Sequence, residues 1–459
     1  MKQLQLPSAF IQSLQAAPGF EQEAFENVHQ SGEQITSIRV NNCKAFDILH
    51  STFNISEVPW NLNGYYLAER PSFTLDPLFH AGAYYVQEAS SMFLEQALKQ
   101  TVDLSRPIKV LDLCAAPGGK STLIQSLISG ESLLVSNEVI KTRVNVLAEN
   151  IAKWGAANVI VTNNDPKDFQ RLPDYFDVIV IDAPCSGSGL FRKDTNAINE
   201  WSEQNVLLCS QRQERILADI LPSLKRGGIL IYSTCSYSEE EDEEIADWLT
   251  EQFEVESLRL EIKDDWGIVE TKSPASNACG YRFYPDKVKG EGFFIAAFKK
   301  PTTNDGESKE WYSRSRSEKL SAKEVEVVQS YLKDPDNFFF IKQKDEVIAM
   351  PLHLENDLAN IQSALYIKKA GVKLGTIIRN ELIPHHELAI SSIINRETPS
   401  VEVELDIALQ YLRKQEIHLE TERKGWSLLT YKQLPLGWVK LLPNRVNNYY
   451  PKDWRILNK

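Results

Sequence analysis

Short apolar runs and amphipathic stretches alternate along the middle of this 459-residue chain. Between residues 108 and 300, the apolar runs are rich in β-branched residues, and the stretches between them have the 3.6-residue apolar spacing of helices. The runs are IKVLDLC, SLLVSNE, NVIVTNN, YFDVIVIDAPC and GGILIYSTC. This alternation predicts an α/β fold, a doubly wound parallel sheet with right-handed crossovers.

The regions on either side have a less regular pattern. A helical stretch, PSAFIQSLQAAPGFEQEAFENV, and a strand-like run, ITSIRVN, predict a small α+β extension at the amino terminus. A polar stretch near residue 310 predicts a linker, and short strands with turns, GWSLLTY and LPLGWVKLLPN, predict a β-rich module at the carboxyl end. We therefore predict five segments: 1–105, 106–300, a linker at 301–322, 323–390 and 391–459.

Composition narrows the class of protein. The chain is 42% hydrophobic and 25% charged, and no apolar run reaches the roughly 20 residues that a membrane-spanning helix needs. The amino terminus lacks the apolar core of a signal peptide. We expect a soluble, cytoplasmic, monomeric protein that acts without a membrane.

The six cysteines form no dense framework and no C-x-x-C pair, so the sequence indicates neither a disulfide scaffold nor a zinc site. We expect Cys43, Cys209 and Cys279 to fill the core, because free cysteine is usually buried. The acidic run EEEDEE at 239–244 would complement the positive end of a helix. We interpret it as a solvated helix face, and we expect no metal site.

A net charge of −13 argues at first against a nucleic-acid partner. The charge is unevenly distributed, however, because residues 423–459 contain eight basic side chains and only one acid, Asp453. In this segment Trp426, Tyr431 and Trp438 alternate with basic residues, as suits contacts with the RNA backbone and stacking on bases. The same pattern also fits a small β-barrel whose aromatic residues are core, and both interpretations remain open.

The segment LDLCAAPGGK at 111–120 places a strand, a turn of small residues and a helix start in succession. Such a turn lets backbone N–H groups approach a ligand. The nearby GGKST resembles a phosphate-binding loop, but Cys114 stands where that loop needs glycine, and Pro117 removes a donor. These two residues disfavour a nucleoside triphosphate.

An adenosine ligand without a triphosphate fits the same region better. Glu138 closes the second predicted strand, where a carboxylate accepts hydrogen bonds from ribose hydroxyls, and Asp165 follows the third and could bind the adenine edge. Acidic residues favour a cationic or neutral ligand. S-adenosylmethionine is an adenosine ligand without a triphosphate and it is cationic at sulfur, so it satisfies both conditions. The alternative is that both carboxylates only cap strand ends.

Two later segments, DAPCSGSGLFRKD at 182–194 and YSTCSYSEEE at 232–241, each place a cysteine at the carboxyl end of a predicted strand. Ligands of open α/β sheets lie beyond these ends, so Cys185 and Cys235 should face one cleft. The Pro-, Ser- and Gly-rich turns around them give no packing reason for sulfur. Two thiols in one cleft indicate covalent chemistry.

A thiolate can add to C6 of a pyrimidine and make C5 reactive toward a sulfonium methyl group; a base then removes the C5 proton and the thiol leaves. Cys235 and Cys185 supply the thiols, and Asp182 supplies an acid near N3 of the ring. Lys193 or Arg192 could stabilise a thiolate or contact a phosphate. The residues themselves do not rank the two thiols.

The motifs CAAPGGK, DAPCSGSG with its following RKD, and YSTCS, in this order, resemble the Nop/Sun (Fmu-like) family of S-adenosylmethionine-dependent RNA cytosine-C5 methyltransferases. The core of the resemblance covers 108–300, and AGAYYVQEASSM and GFFIAAF resemble the family's flanking segments. The resemblance implies a class I (Rossmann-like) methyltransferase sheet. Residues 1–105 resemble the family's amino-terminal RNA-binding extension.

The same resemblance assigns roles to residues. It implies that Cys235 is the nucleophile and that Cys185 helps to release the methylated product. DNA cytosine methyltransferases, which use a Pro-Cys cysteine as nucleophile, would favour Cys185 instead. The resemblance also implies a cofactor site for S-adenosylmethionine lined by Cys114, Ala115, Ala116, Pro117, Gly118, Gly119, Lys120, Glu138, Asp165 and Asp182.

The carboxyl-terminal segment LPLGWVKLLPNRVNNYYPKDWRI at 434–456 resembles the PUA-type module of the RsmF branch, whose members modify small-subunit ribosomal RNA. We therefore expect methylation of C5 of cytidine in 16S rRNA, either naked or within the small ribosomal subunit. Two alternatives stay open: a tRNA cytosine-C5 methyltransferase, and a non-catalytic RNA-binding factor of ribosome assembly.

Overall fold

The computed structural model describes residues 5–302 and 318–457. Ahead of the central sheet lies a four-stranded antiparallel sheet of strand order β2-β3-β1-β4. Its elements and the neighbouring helices are α1 (Ser8–Ser13), α2 (Gln22–Gln30), β1 (Thr36–Val40), β2 (Ile55–Glu57), β3 (Gly64–Leu67), α3 (Pro77–His80), β4 (Tyr84–Val86) and α4 (Leu94–Thr101). The predicted helical stretch and the strand ITSIRVN are confirmed as α1, α2 and β1.

The middle of the chain contains most strands of a large central sheet and the helices beside them. Its elements are β5 (Lys109–Asp112), α5 (Gly119–Leu127), β6 (Leu133–Asn137), α6 (Lys141–Trp154), β7 (Val159–Thr162), β8 (Phe176–Asp182), α7 (Thr195–Glu200), α8 (Glu203–Ile220), β9 (Leu224–Thr234), α9 (Glu243–Phe253), β10 (Glu256–Leu258), β11 (Val269–Lys272), β12 (Cys279–Phe283) and β13 (Phe293–Lys299).

The remaining elements follow residue 317. They are β14 (Glu318–Lys319), α10 (Ala322–Gln329), β15 (Phe338–Gln343), β16 (Glu346–Pro351), α11 (Glu355–Ala364), β17 (Ile367–Ala370), β18 (Val372–Ile378), β19 (Glu381–Pro384), α12 (His386–Ala389), β20 (Ser400–Glu402), α13 (Leu405–Leu412), β21 (Gly425–Tyr431), β22 (Leu434–Leu442) and β23 (Arg445–Asn448). Two of these, β21 and β22, are the predicted strands of the β-rich module.

The central sheet has the strand order β11-β12-β13-β9-β8-β5-β6-β7-β17, with β10 beside β13. Strands β9, β8, β5, β6 and β7 run parallel, so the predicted doubly wound sheet is confirmed for them. The sheet is nevertheless mixed, because β13 pairs with β9 and β17 pairs with β7 in antiparallel fashion.

The parallel strands are apolar on both faces, as their unbroken hydrophobic runs predict. Val178 and Val180 of β8 pack in one buried cluster with residues of α5 and α6, whereas Ile179 and Ile181 pack on the other face with residues of α8 and α9. Successive side chains of a strand point to opposite faces, so both faces need a cover of helices. This burial holds the strand ends rigidly.

The segment after residue 317 is not independent of this core. Strand β17 is an edge strand of the central sheet, and Phe339 and Ile348 lie in the same buried cluster as Ile179. The predicted linker falls largely outside the described residues, and its end, from Glu318 on, already belongs to β14 and α10. The five boundaries given above remain a prediction.

A buried arginine ties β12 to the chain that follows β9. Two nitrogens of the Arg282 guanidinium, Nε and Nη2, donate to the Glu243 carboxylate, and Nη2 also lies 3.5 Å from Asp242 Oδ2. The third nitrogen, Nη1, donates to the Tyr237 carbonyl at 2.7 Å. Thr234 Oγ1 donates to Asp242 Oδ1 at 2.6 Å. All of these carboxylates are buried, and burial raises the pKa of Asp242 well above its ordinary value.

The interpretation of the run 239–244 as a solvated helix face is therefore wrong for three of its residues. Glu241, Asp242 and Glu243 are each at most 3% exposed, and helix α9 begins only at Glu243. The helical pattern is present, but it does not predict that these acids are buried. Their partner, Arg282, lies on a strand about forty residues further along the chain, which local periodicity cannot reveal. Cys43 is also exposed rather than buried, whereas Cys209 and Cys279 are buried as predicted.

We expect Arg282→Met to destabilise the fold by about 3–5 kcal/mol, because it leaves two buried carboxylates without their cation. The change is measured as a shift in the midpoint of guanidinium unfolding. Arg259→Met is the matched control, since Arg259 pairs with Glu270 at the surface and its loss should matter little. An equal shift in both variants would contradict the prediction.

Candidate active site

The two cysteines lie at the carboxyl ends of neighbouring strands. Cys235 directly follows β9, and Cys185 lies three residues after β8. The register pairs Asp182 of β8 with Ser233 of β9, so the two turns leave the sheet side by side. The Sγ atoms of Cys185 and Cys235 are 3.0 Å apart. The predicted thiol pair is therefore brought together.

A glycine allows this close approach. The Gly189 N–H donates to the Cys235 carbonyl at 2.8 Å. A Cβ atom on Gly189 would lie 2.5 Å from the Gly292 carbonyl oxygen and 2.7 Å from that of Cys235, too close for any other residue. The Cys185 turn thus packs backbone to backbone against the segment that carries the second thiol.

The surroundings of Cys185 keep its thiol protonated. The pKa of Cys185 is raised well above its ordinary value, first by its hydrogen bond with Cys235, then by burial, and then by the charges of Cys235 and Glu241. The contact between the two sulfurs is a hydrogen bond in which either thiol can be the donor.

Asp182, the last residue of β8, forms an ion pair with Lys120 of the predicted cofactor loop. Lys120 Nζ lies 2.8 Å from Asp182 Oδ1, and Ser233 Oγ donates to the same oxygen at 3.0 Å. The ammonium also lies 5.0 Å from the ring of Phe293, and its side chain is only 12% exposed. The predicted acid is therefore fixed in place beside the thiols, with its charge balanced by a lysine from the loop.

The loop that includes Ala115, Ala116 and Pro117 is held from the side by helix α6. Arg143 donates to the Ala116 carbonyl at 2.6 Å, and the Asn150 amide donates to the Pro117 carbonyl at 2.8 Å. These contacts use two of the loop's carbonyls, the Ala115 N–H donates to the Asn137 carbonyl at 2.8 Å, and Pro117 has no N–H, so the N–H groups at the start of α5 are those that a ligand could reach. Gly118 adopts φ +116°, a conformation that favours glycine.

Carboxylates with unpaired oxygens surround this loop. Among the described residues, Asp112 Oδ1 and Glu138 Oε2 are buried without a hydrogen-bond partner, although Arg143 Nη1 lies 3.5 Å from the latter. Burial raises the pKa of Asp112 to about 7, and the charges of Asp182 and Glu138 add to this shift, while the Ser121 hydrogen bond opposes it. Burial likewise raises the pKa of Cys114. The site favours a cationic or hydrogen-bond-donating ligand.

Asp165 follows β7, and its side chain caps the turn that comes next, as in the alternative that it only caps a strand end. It begins a 3-10 turn, where its Oδ1 accepts from the Lys167 N–H at 3.1 Å within a capping box shared with Asp168. Arg215 Nη1 lies 3.9 Å from its other oxygen. The side chain remains partly exposed, so its contact with an adenine edge stays a prediction.

The basic residues of the RKD segment differ from each other. Arg192 is buried, lies 3.5 Å from Glu291 Oε2 and donates to the carbonyls of Gly290 and Glu33, so it is not available for a substrate phosphate. Burial raises the pKa of Glu291 to about 7. Lys193 is exposed. Its predicted role near the thiols stays a prediction.

One residue of the site was missed by the sequence analysis. The Glu241 carboxylate accepts hydrogen bonds from Ser186 and from Ser236, the residues that directly follow the two cysteines. The repeated Cys-Ser dipeptide, followed by a buried carboxylate six residues after the second cysteine, is the signal that could have indicated it. The acidic run around Glu241 concealed it.

The aromatic residues of the basic carboxyl-terminal segment divide between the two interpretations. Trp438 is buried, donates to the His385 carbonyl at 2.9 Å, and is therefore core. Trp426 is partly exposed and carries Lys440 over its ring at 5.2 Å. Six of the described basic side chains in this segment are exposed: Arg423, Lys424, Lys432, Arg445, Lys452 and Arg455.

The described residues contain no group of three or more side chains suited to holding a metal ion. Within the same ranges, we find no helix with both the length and the apolar character needed to cross a bilayer.

The parallel sheet, with the acid-lined loop and the adjacent thiols at one edge, has the fold of a class I methyltransferase. Family models match most of the chain: 16S rRNA methyltransferase RsmB/F at residues 100–299, the N-terminal domain of 16S rRNA methyltransferase RsmF at 6–89, and the methyltransferase RsmF PUA domain at 398–456. The chain therefore belongs to the RsmB/F family of 16S rRNA methyltransferases, and the predicted family, fold class and enzyme class are confirmed.

Named relatives support the same branch. Ribosomal RNA small subunit methyltransferase F of Aliivibrio fischeri is 31% identical, over 87% of this chain and 86% of that protein. The protein of the same name from Vibrio parahaemolyticus is 30% identical, over 98% of this chain and 97% of its own length.

Solved structures show the fold. A methyltransferase homolog protein from Pyrococcus horikoshii has a TM-score of 0.52 and 29% identity, covering 64% of this chain and 100% of its own. NSun6 from Pyrococcus horikoshii has a TM-score of 0.54 and 19% identity, covering 65% of this chain and 99% of its own.

The distance between the thiols predicts that they can be cross-linked. Forming a disulfide requires the two sulfurs to approach by about 1 Å from their present separation. Diamide, which accepts two electrons and two protons, should therefore convert Cys185 and Cys235 into a disulfide that dithiothreitol reverses. The reaction should accelerate as pH rises, because the protonated thiol must first ionise.

Peptide mapping by mass spectrometry checks this prediction. The Cys43→Ser variant, which removes an exposed cysteine, should still form the cross-link, whereas Cys185→Ser should not. Oxidation that leaves the Cys185 and Cys235 peptides unlinked in the wild type would contradict the observed geometry.

Proposed function

We propose that this protein transfers a methyl group from S-adenosylmethionine to C5 of cytidine in small-subunit (16S) ribosomal RNA, through a covalent adduct between a cysteine and C6. The observation that supports this most directly is the pair of thiols, 3.0 Å apart, next to the Asp182–Lys120 ion pair. The names of the relatives support the choice of ribosomal RNA.

The residues of the acid-lined loop fit S-adenosylmethionine. Glu138 Oε2, which has no hydrogen-bond partner although Arg143 Nη1 lies 3.5 Å away, suits the ribose hydroxyls, and the N–H groups of Gly118 and Gly119 at the start of α5 suit a ligand that accepts hydrogen bonds. The acidic surroundings of Asp112 and Asp182 suit a ligand that carries a sulfonium cation. When bound, this cofactor supplies the electrophilic methyl group.

In this proposal Cys235 is the nucleophile. It lies at the end of β9 next to a thiol that can donate a hydrogen bond to its sulfur. Addition of the Cys235 sulfur to C6 of the cytosine ring makes C5 electron-rich. In the proposed addition step, the Asp182 carboxyl gives a proton to N3 of the ring as the sulfur adds to C6, and Lys120 and Ser233 stabilise the carboxylate that remains.

Cys185 then serves product release. After C5 has been methylated, a base removes the C5 proton, the electrons return to the ring, and the C6–S bond to Cys235 breaks. A protonated Cys185 beside the departing sulfur can donate a proton to it, which favours its departure. The raised pKa of Cys185 is consistent with this role and unfavourable for a nucleophile at neutral pH.

Binding of RNA would use both ends of the chain. The exposed lysine and arginine side chains of the PUA-type module suit contacts with RNA phosphates. Such a local basic surface is needed because the protein as a whole carries a charge of −13, which repels RNA. We propose that the protein acts as a monomer in the cytoplasm, where its ribosomal RNA substrate is located.

The substrate is tested by incubating the protein with radiolabelled S-adenosylmethionine and separated RNAs, followed by nucleoside analysis. We expect label in 5-methylcytidine of 16S rRNA. Label in tRNA instead would retain the reaction and reject the substrate, and an absence of label in every RNA, naked or within the small subunit, would favour a non-catalytic assembly factor.

The roles of the thiols are tested with single substitutions. Cys235→Ala should abolish methyl transfer, a loss of several orders of magnitude, with unchanged cofactor binding by calorimetry. Cys185→Ala should accumulate a protein–RNA adduct that migrates slowly on a denaturing gel. Cys43→Ala is the control and should behave as the wild type. An adduct in the Cys235→Ala variant would reverse the two assignments.

A further inference from the structure

A single buried carboxylate connects the two turns that carry the thiols. Glu241 accepts hydrogen bonds from the Ser186 N–H at 2.8 Å, from the Ser186 hydroxyl, and from the Ser236 hydroxyl at 2.6 Å. Ser186 follows Cys185 and Ser236 follows Cys235. One side chain thus binds the residue next to each thiol.

Further bonds hold Glu241 itself. Gln213 of α8 donates to Glu241 Oε1 at 3.1 Å and to the Pro184 carbonyl at 3.1 Å, so it binds the carboxylate and the Cys185 turn together. The Tyr232 hydroxyl donates to the Glu241 carbonyl at 2.7 Å. Glu241 and Gln213 are fully buried, so water does not compete for these bonds.

The donors to this carboxylate distinguish it from an ordinary buried acid. They come from residues beside the thiols and from the helix that binds the Cys185 turn, whereas the neighbouring Glu243 is paired with Arg282. Burial raises the pKa of Glu241, and the hydrogen bonds from Ser186, Ser236 and Gln213 oppose that shift. A buried carboxylate of this kind is costly unless its oxygens stay bound, so the two turns are held to it.

We propose that Glu241 is a positioning residue, which fixes the separation of Cys185 and Cys235 by binding Ser186 and Ser236 at once. It touches neither thiol and acts through the two serines. The consequence for the reaction rests on the proposed function, in which one thiol attacks and the other assists its departure, because small displacements of reacting groups lower rates strongly.

The test uses Glu241→Asp in the full-length protein. Aspartate keeps the charge but is one methylene shorter, so it cannot reach both serines. We expect kcat for RNA methylation to fall on the order of 10²-fold with an unchanged KM for S-adenosylmethionine. The rate of diamide cross-linking between Cys185 and Cys235 should fall roughly tenfold, because the sulfurs no longer face each other.

Two further variants make the test decisive. Glu239→Asp, the same change at an exposed position of the same turn, should match the wild type in every measurement. Ser236→Ala removes one donor and keeps the Ser186 bonds, so it should lower kcat and cross-linking in the same direction even if Glu241→Asp does not fold.

A folded Glu241→Asp or Ser236→Ala protein with wild-type kcat and wild-type cross-linking would overturn the proposal. So would a loss of kcat with unchanged cross-linking, because the thiol separation would then be independent of Glu241. Cross-linking needs neither RNA nor cofactor. If the wild type methylates no RNA, the proposed function fails, while the cross-linking comparison still decides the role of Glu241.

Discussion

The parallel pairing of β8 with β9 is the constraint on which the site depends. Its register sets Asp182 opposite Ser233, and it makes the turns after both strands leave the same edge of the sheet. Since helices pack on both faces of both strands, a slip of either strand would disrupt that packing. The two turns that carry the thiols are thereby tied to the buried sheet.

Charge is distributed so that the site can remain acidic without losing its order. Asp182 is paired with Lys120, Glu243 with Arg282 and Glu138 with Arg143, while Asp112 Oδ1 and Glu138 Oε2 have no hydrogen-bond partner among the described residues. The ion pairs hold the structure, and in the proposed function the two oxygens without such a partner serve the ligand. A positively charged cofactor would complete this balance, which explains why so acidic a sheet edge suits this reaction.

The sequence predicted the elements of the central sheet and the proximity of Cys185 and Cys235, because hydrophobic runs and strand-end positions depend on local pattern. It did not predict which carboxylates are buried, since the partner of Glu243 is Arg282 on a distant strand. Nor could it rank the thiols from the residues. The hydrogen bond between their sulfurs, which raises the pKa of Cys185, exists only in the folded chain.

The edge strand β17 has a consequence for how the chain can be divided. It supplies the antiparallel partner of β7, and its neighbour Tyr366 exchanges hydrogen bonds with Asn164. Cutting the chain after residue 302 would uncover the backbone N–H and C=O groups along β7, which would then be free to pair with other molecules. The methyltransferase sheet is thus completed by sequence that follows it, and residues 106–300 alone would leave one edge of the sheet without its partner.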